Sequence, residues 1–449
     1  MPNDNGEDGV AARRPEHERA TGEGRGNSRR SGSRQGSSQE IRQVRGKGRS
    51  LAILLLCQVG AMSVWFASAS VVAIVKQSYN IPVLQETLLT SAVQGGFVAG
   101  TIISAVLSLA DRYDPRRLFT VCALAAGAMT ACLTVLDPAG PAAIVLRLLT
   151  GMCMAGVYPV GMRLAVSWAT GDVGLLIGLL VGALTFGSAS PHLLAALGGS
   201  GWRTIYAISA GLALLSGAAI QLCGLGPNIA RATRIDWSAF TEAWRNPALR
   251  FANLGYLGHM WELYAMWAWL AVFLTASFSA HGMSHPREAA EWLTFGAVAA
   301  GAVGAWGGGV LADRLGRTTV TIGAMTASGA CAAVMGWLSG APVWLVAGVA
   351  LVWGTTVIAD SAQFSASVAE LARPAQIGTL LTVQTCAGFL LTLVSIHLVP
   401  GVVALAGWPG AFGMLAAGPI LGCLAMLRFV VSPMRCALPG GNGSLRTPQ

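Results

Sequence analysis

The chain has 449 residues, of which 54% are hydrophobic and only 11% charged, against roughly 25% charged in a soluble globular domain, and this excludes an ordinary water-soluble enzyme. The first 50 residues hold 11 Lys/Arg and 7 Asp/Glu, which leaves 31 charges for the other 399 residues, so the body of the chain belongs in a membrane. The formal net charge of +9 calls for no nucleic-acid partner, because basic loops beside membrane spans give it a use.

Residues 1–50 are rich in Arg, Gly, Ser, Glu and Gln, as in the run RGNSRRSGSRQGSS from Arg25 to Ser38. With nothing to bury, they are expected to form a disordered basic cytoplasmic tail, with no cleavable signal peptide ahead of the first apolar run. From Leu51 onward the chain divides into twelve apolar runs: 51–75, 86–109, 117–136, 141–168, 174–197, 203–224, 248–275, 291–311, 318–338, 342–367, 377–399 and 407–431. Each is long enough for a ~30 Å hydrocarbon core, which takes ~20 helical residues. With the N-terminus inside, all but Lys76, Arg147, Arg203 and Arg287 of the 29 Lys/Arg lie in the tail or toward cytoplasmic ends. That asymmetry places both termini in the cytoplasm and the protein in the cytoplasmic (inner) membrane as a multi-pass chain.

The chain echoes itself at about 200 residues. Ala110-Asp111-Arg112 matches Ala312-Asp313-Arg314, Gly201-Trp202 matches Gly407-Trp408, and Gly60-Ala61-Met62 matches Gly258-His259-Met260, at offsets of 202, 206 and 198. The expected fold class is therefore an all-α membrane protein, twelve transmembrane helices in two pseudo-symmetric six-helix bundles. Its parts are the tail 1–50, an N-terminal bundle 51–224, a cytoplasmic linker 225–247, a C-terminal bundle 248–431 and a cytoplasmic tail 432–449. The nine cysteines form no CxxC pair and read as small apolar fillers, with no metal or redox framework.

Between the eighth and ninth runs stands Gly309-Val310-Leu311-Ala312-Asp313-Arg314-Leu315-Gly316-Arg317. It resembles the G-x-L-a-D-R-x-G-R signature of the major facilitator superfamily. The counterpart after the second run, Leu107 to Arg117, keeps Asp111, Arg112 and Arg116 but has Leu107 and Asp114-Pro115 where the glycines would be. In the fourth run Arg147-Leu148-Leu149-Thr150-Gly151 is similar to the R-x-x-x-G motif many members carry there. The resemblance covers roughly residues 51–431. It implies a secondary transporter whose two bundles rock about a central cavity lined by helices 1, 4, 7 and 10. It also implies that Asp111, Arg112, Arg116, Asp313, Arg314 and Arg317 form a cytoplasmic conformational latch.

The polar residues of those helices are the site candidates. His259 and Glu262 in the seventh run share a helix face at i and i+3, and an acid there needs a partner. Glu262 assisted by His259 is expected to bind a proton or the polar group of a substrate, with Arg147 as countercharge on the opposite half, although Arg147 lies near the outer end and could instead reach the interface. Trp261, Tyr264 and Trp267 follow at three-residue steps, and Tyr264 is expected to wall the pathway. Asp360 stands beside Ser361 and Gln363 in the tenth run, below Trp353, Thr355 and Thr356, as a coupling residue or a partner in the inner gate. Gln94, Gln384 and Thr385 are weaker candidates.

The glycine-rich fifth run, Gly178 to His192, lacks the G-P-x-x-G-G core of the family's antiporter motif, which tilts the reading toward uptake or exchange. Pro191 and His192 are expected to kink and end that helix. His281 and His285 flank a Gly and Pro loop rather than a metal site. There is no Walker A sequence, G-x-S-x-G or H-E-x-x-H, so neither a cofactor nor catalysis is expected. The expected partners are a small-molecule substrate, a proton and the lipid bilayer, with the monomer as the working unit. The alternative is a transport-inactive membrane sensor or partner-binding protein of the same fold, which solute flux distinguishes.

Overall fold

A computed structural model describes residues 46–107, 109–198, 201–228, 238–373 and 376–431, apart from the side chains of residues 77, 110, 111, 430 and 431. The basic tail before residue 46 and the tail from 432 lie outside the described residues. Every regular element among the described residues is helical. In chain order they are α1 (46–62), α2 (Ala67–Tyr79), α3 (Val83–Val106), the short α4 (Leu109–Arg112), α5 (Pro115–Cys132), α6 (Pro141–Met154), α7 (Tyr158–Ser167), α8 (Val173–Gly198) and α9 (Trp202–Ala219). They continue with α10 (Ser238–Arg245), α11 (Pro247–Ala280), α12 (Pro286–Leu315), α13 (Arg317–Met335), α14 (Val343–Thr356), α15 (Ser361–Leu371) and α16 (Ile377–Val431).

Ten helical stretches are long and apolar enough to cross a membrane. The last, Ile377–Phe429, has 53 residues, about 80 Å at the helical rise, far more than one ~30 Å crossing needs. Gly407, with φ 66°, turns the chain inside it, a conformation open to glycine because it has no Cβ, and splits it into two passes. The third pass in chain order, α5, completes the twelve; its hydropathy is diluted by Arg116 and Arg117 in its first turn. Asp114 caps α5 by accepting from the Arg116 amide at 2.8 Å, with Pro115 in the first turn. The Asp-Pro pair that departs from the family signature is thus a helix start.

Three of the twelve passes are discontinuous. The first stops at residue 62 and resumes at Ala67, the fourth breaks between Met154 and Tyr158, and the tenth between Thr356 and Ser361. At each break tighter i to i+3 bonds replace the helical ladder, as in Trp65 to Met62 (3.0 Å), Val157 to Met154 (3.0 Å) and Ser361 to Ile358 (3.1 Å). The seventh pass, α11, runs unbroken through 34 residues.

Two prolines inside the passes, Pro191 and Pro400, are matched by nearby donors. Pro191 does not end its helix as expected: α8 continues to Gly198. Proline lacks the N–H that would bond four residues back, and Ser190 Oγ donates to that freed carbonyl, Gly187 O, at 2.7 Å. Likewise Trp269 Nε1 of α11 donates to Ile396 O at 3.0 Å, the carbonyl that Pro400 releases. In hydrocarbon no water would fill either role.

Helices pack closely within each six-helix bundle: α3 lies on α6 and α5 on α9, while α11 and α13 lie on α16. These contacts are made through glycine. A methyl group on Gly96 would overlap the Leu148 carbonyl oxygen, one on Gly151 the Val93 carbonyl, and one on Gly354 the Ala297 carbonyl. Between the bundles α8 runs along α12 and α3 along the first pass of α16. Between α8 and α12 a Cβ built on Gly182 would stand 3.5 Å from Ala302 Cβ and one on Gly178 3.6 Å from Ala305 O, while one on Gly301 would meet the Thr185 methyl at 2.8 Å. The stretch expected as a linker includes α10, which buries Ala239 and Ala243 against Leu249, Ala252, Val368 and Leu380; residues 229–237 of it lie outside the described residues.

Gly151→Leu is expected to force α3 from α6 and to destabilise the protein by at least the ~1–3 kcal/mol typical of an overpacked core. A lowered unfolding midpoint of the detergent-purified protein checks this, and an unchanged midpoint would contradict the contact.

Candidate functional site

The break in the first pass sets the N-terminal side of the site. Residues 63–66 leave the helix, and the carbonyls of Val64 and Trp65 lose their helical donors. Arg147 of α6, with 0% exposure, supplies them through Nη1 to Val64 O (2.7 Å) and Nη2 to Trp65 O (2.5 Å). This corrects two expectations for Arg147. It does not reach the interface, because its head is enclosed, and it is not a free countercharge, because both terminal nitrogens are engaged with backbone. Beside it Ser68 Oγ and Tyr206 OH share a hydrogen bond of 2.9 Å.

The same break delivers Trp65 and Phe66 into an aromatic cluster that joins the two bundles. Trp65 packs on Phe97 (5.0 Å between ring centres) and Phe389 (5.7 Å), while Phe66 stacks on Tyr264 (5.9 Å) and meets Trp267 edge-on (5.4 Å). Tyr264 lies 4.9 Å from Phe389 and is buried. It is therefore part of a closed plug rather than a wall of open space. The indole nitrogens of Trp65 and Trp267 have no hydrogen-bond partner. Trp261 faces elsewhere, donating to Met414 O at 3.0 Å.

On the C-terminal side, α11 carries two buried polar groups that part ways. Glu262 accepts from Trp353 Nε1 at 2.7 Å (α14) and from Ser328 Oγ at 2.9 Å (α13). His259 instead places Nδ1 2.8 Å from Asp360 Oδ1, and its ring is flanked by Tyr256 and Phe364. The expectation that His259 assists Glu262 directly is corrected. Residues three apart are turned about 60° around a helix, enough here to address different neighbours. Asp360 reaches His259 because it sits in the break between α14 and α15, where the backbone leaves the helix axis. Gln384 donates to Asn253 Oδ1 at 3.1 Å, and Thr385 lies near the Tyr256 hydroxyl. Gln94 turns back on its own helix, to the carbonyls of Thr90 and Ser91.

At the end with the signature loops, Gly316 (φ 86°) turns the chain into α13 and aims Arg317 at α15. Its guanidinium holds Glu370 at 2.6 Å and Gln363 at 2.8 Å. The acid that meets Arg317 is thus Glu370, not Asp313, which is exposed like Arg314 and Arg112. The side chain of Asp111 lies outside the described residues. In the other half Arg116 pairs with Asp114 at 2.8 Å and donates to Cys223 O at 3.3 Å, tying α5 to the end of the sixth pass. The hydrogen bond from Arg116 holds the Asp114 carboxyl below the usual carboxylate range.

One buried pair was absent from the candidates. His192 Nδ1 of α8 lies 2.6 Å from Glu291 Oε2 of α12, with both side chains enclosed. Read as a helix end and a helix start, the two residues gave no cue. Their signal was that each is an ionisable residue inside an apolar run that the duplicated plan brings together.

This architecture defines a multi-pass helical membrane protein with buried polar groups at the breaks of its helices. A family model described as Major Facilitator Superfamily matches residues 54–395, and the chain belongs to that superfamily. Among solved structures, the fold is similar to that of a variant of the nucleoside transporter NupG. The TM-score is 0.67 and the identity 14%, covering 85% of this chain and 99% of that one. No curated protein matches in sequence. Family and fold point to a transporter rather than an enzyme.

Arg147→Met is expected to leave two buried carbonyls without donors. At about 1.5–3 kcal/mol for a hydrogen bond to a charged group, it should lower the unfolding midpoint by several degrees, with Arg147→Lys in between. Equal midpoints for all three proteins would show that the break does not depend on this residue.

Proposed function

We propose that the protein is a secondary transporter that moves a small organic solute across the cytoplasmic membrane by alternating access. It acts as a monomer with both termini in the cytoplasm. In this reading residues 51–224 and 248–431 are the two rocking bodies, joined through 225–247. The observation that carries it is Glu262: a buried carboxylate near mid-membrane, held only by the neutral donors Trp353 and Ser328. An ionisable group in that setting is unfavourable unless something is bound to it in turn. A proton or the polar head of a solute meets that need, and exchange between the two couples their movement.

His259 and Asp360 form the second station, one helical turn away and beside the break of the tenth pass. Arg147 serves the site indirectly by fixing the bend that brings Trp65 and Phe66 to Tyr264. That cluster seals the path between the bundles in this state and parts when they rock. Asp111, Arg112, Arg116, Asp313, Arg314 and Arg317 gather at the cytoplasmic end. Arg317 with Glu370 stabilises one closure there, while the exposed Asp313, Arg314 and Arg112 are available to the other.

Proteoliposomes carrying an internal pH dye test the reading. The solute panel includes organic anions, cations, zwitterions and, because NupG is a nucleoside transporter, nucleosides. Wild-type protein is expected to give a solute-dependent pH change that Glu262→Gln abolishes. Transport with unchanged rate and pH dependence in Glu262→Gln would remove the coupling role. Absence of flux for every labelled solute, in folded protein, would favour a transport-inactive sensor. Arg317→Gln and Glu370→Gln are expected to be non-additive in a double-mutant cycle read by transport rate, and additivity would dissolve that pair.

A further inference from the structure

The bundles meet along α8 and α12, and this contact is apolar or small except near the end remote from the signature loops. There His192 and Glu291 approach to 2.6 Å, at 1% and 4% exposure. One turn from each stands a buried hydroxyl with no hydrogen-bond partner, Ser188 on α8 and Thr294 on α12. Phe186 and Phe295, with ring centres 5.8 Å apart, also meet across this seam. A polar pair is thus enclosed where two bodies must separate if the transporter opens on that side.

From this geometry we infer that His192 and Glu291 form a proton-binding site, distinct from Glu262, whose occupancy is tied to closure of the α8–α12 seam. This rests on the alternating-access reading given above. The enclosed pair carries no net charge when it holds one proton, shared between imidazole and carboxylate. With none it would bury a net negative charge and with two a net positive one, and both are unfavourable in a dry contact. Once the seam parts and water enters, hydration supports the charge of each group by itself, and the pair is no longer bound to hold one shared proton. The closed pair therefore keeps its one proton, whereas the opened pair is free to lose it to water. Closing takes up a proton, opening releases it, and rising pH favours the open form.

Few other groups compete. On α12, Arg287 and Glu288 lie in the first turn, and His281 and His285 precede it; His281 Nδ1 lies 3.2 Å from Gly340 O. On α2, Lys76 is paired with Glu86 at 2.6 Å, and on α9, Arg203 lies over Trp202 and donates to Thr134 O at 3.0 Å. Beyond Glu262, α11 offers only Tyr264, and α14 has no ionisable residue. The charged residues of α7, α13 and α15, namely Arg163, Arg317 and Glu370, lie toward the opposite end.

Spin labels at Leu197→Cys, near the end of α8, and Ser284→Cys, just ahead of α12, in a background with the nine native cysteines replaced, flank the seam. Electron–electron resonance distances in nanodiscs, without solute, read the ratio of open to closed seam. For the wild-type pair this ratio is expected to rise with pH over the range scanned, by at most about tenfold per pH unit for one proton. Glu291→Gln removes the need for that proton, so its ratio should be level from pH 6.5 to 9, as should that of the His192→Gln, Glu291→Gln double variant. A wild-type ratio that does not change with pH, or a Glu291→Gln variant that keeps the wild-type slope, overturns the proposal. The readout needs no solute, so a failure of the transport reading shows separately, as absent flux.

Discussion

A helix that breaks inside hydrocarbon releases carbonyls that no water can satisfy, and this constraint organises the whole protein. The first pass breaks at residues 63–66, and the buried guanidinium of Arg147 closes the account for Val64 and Trp65. Without that cation the bend would be unfavourable, and without the bend Trp65 and Phe66 would not enter the cluster that joins the bundles. The same logic recurs on a smaller scale at Ser190 for the gap left by Pro191 and at Trp269 for the gap left by Pro400. Irregular backbone at membrane depth survives only where protein supplies the missing partners.

The buried ionisable groups divide according to what they touch. Arg147 touches backbone and is structural. Glu262 touches an indole and a hydroxyl, neither of which can cancel its charge. His259 with Asp360 and His192 with Glu291 touch each other, each as an imidazole and a carboxylate that together accept one proton without net charge. The N-terminal bundle thus sets its buried guanidinium on the backbone of a bend, while the C-terminal bundle and the seam hold buried carboxylates beside imidazole, indole or hydroxyl groups. The asymmetry arises within a duplicated plan, since Arg147 has no basic counterpart in the tenth pass, where Asp360 occupies the break instead.

Much of this was legible in the sequence. The apolar runs, the repeat at about 200 residues and the signature from Gly309 to Arg317 sufficed for the twelve passes and their grouping into two similar halves. The breaks were not legible, because the residues at 63–66, 155–157 and 357–360 are no less apolar than their surroundings and only two of them are glycine or aspartate. Pairings were the least legible of all. His259 and Glu262 share a face by count, yet a turn of 60° and a neighbour displaced by a break send them apart. Arg317 meets an acid 53 residues away rather than the one four residues back in its own motif. Periodicity reports which face of a helix is polar, whereas a partner depends on the depth and rotation of a second helix.

The glycines carry a mechanical meaning. Within each bundle backbone rests directly on backbone at Gly96, Gly151 and Gly354, with no room for one added carbon. Such joints interlock and resist sliding. Across α8 and α12, Gly178 and Gly182 meet their neighbours at ordinary contact distance, 3.6 and 3.5 Å from a built Cβ, and the close approach, 2.8 Å from a Cβ built on Gly301, is to the side-chain methyl of Thr185 and not to backbone. The molecule is therefore stiffest inside each bundle, where backbone bears on backbone, whereas the contact between the bundles is borne by side chains, which have rotamers to yield where backbone has none.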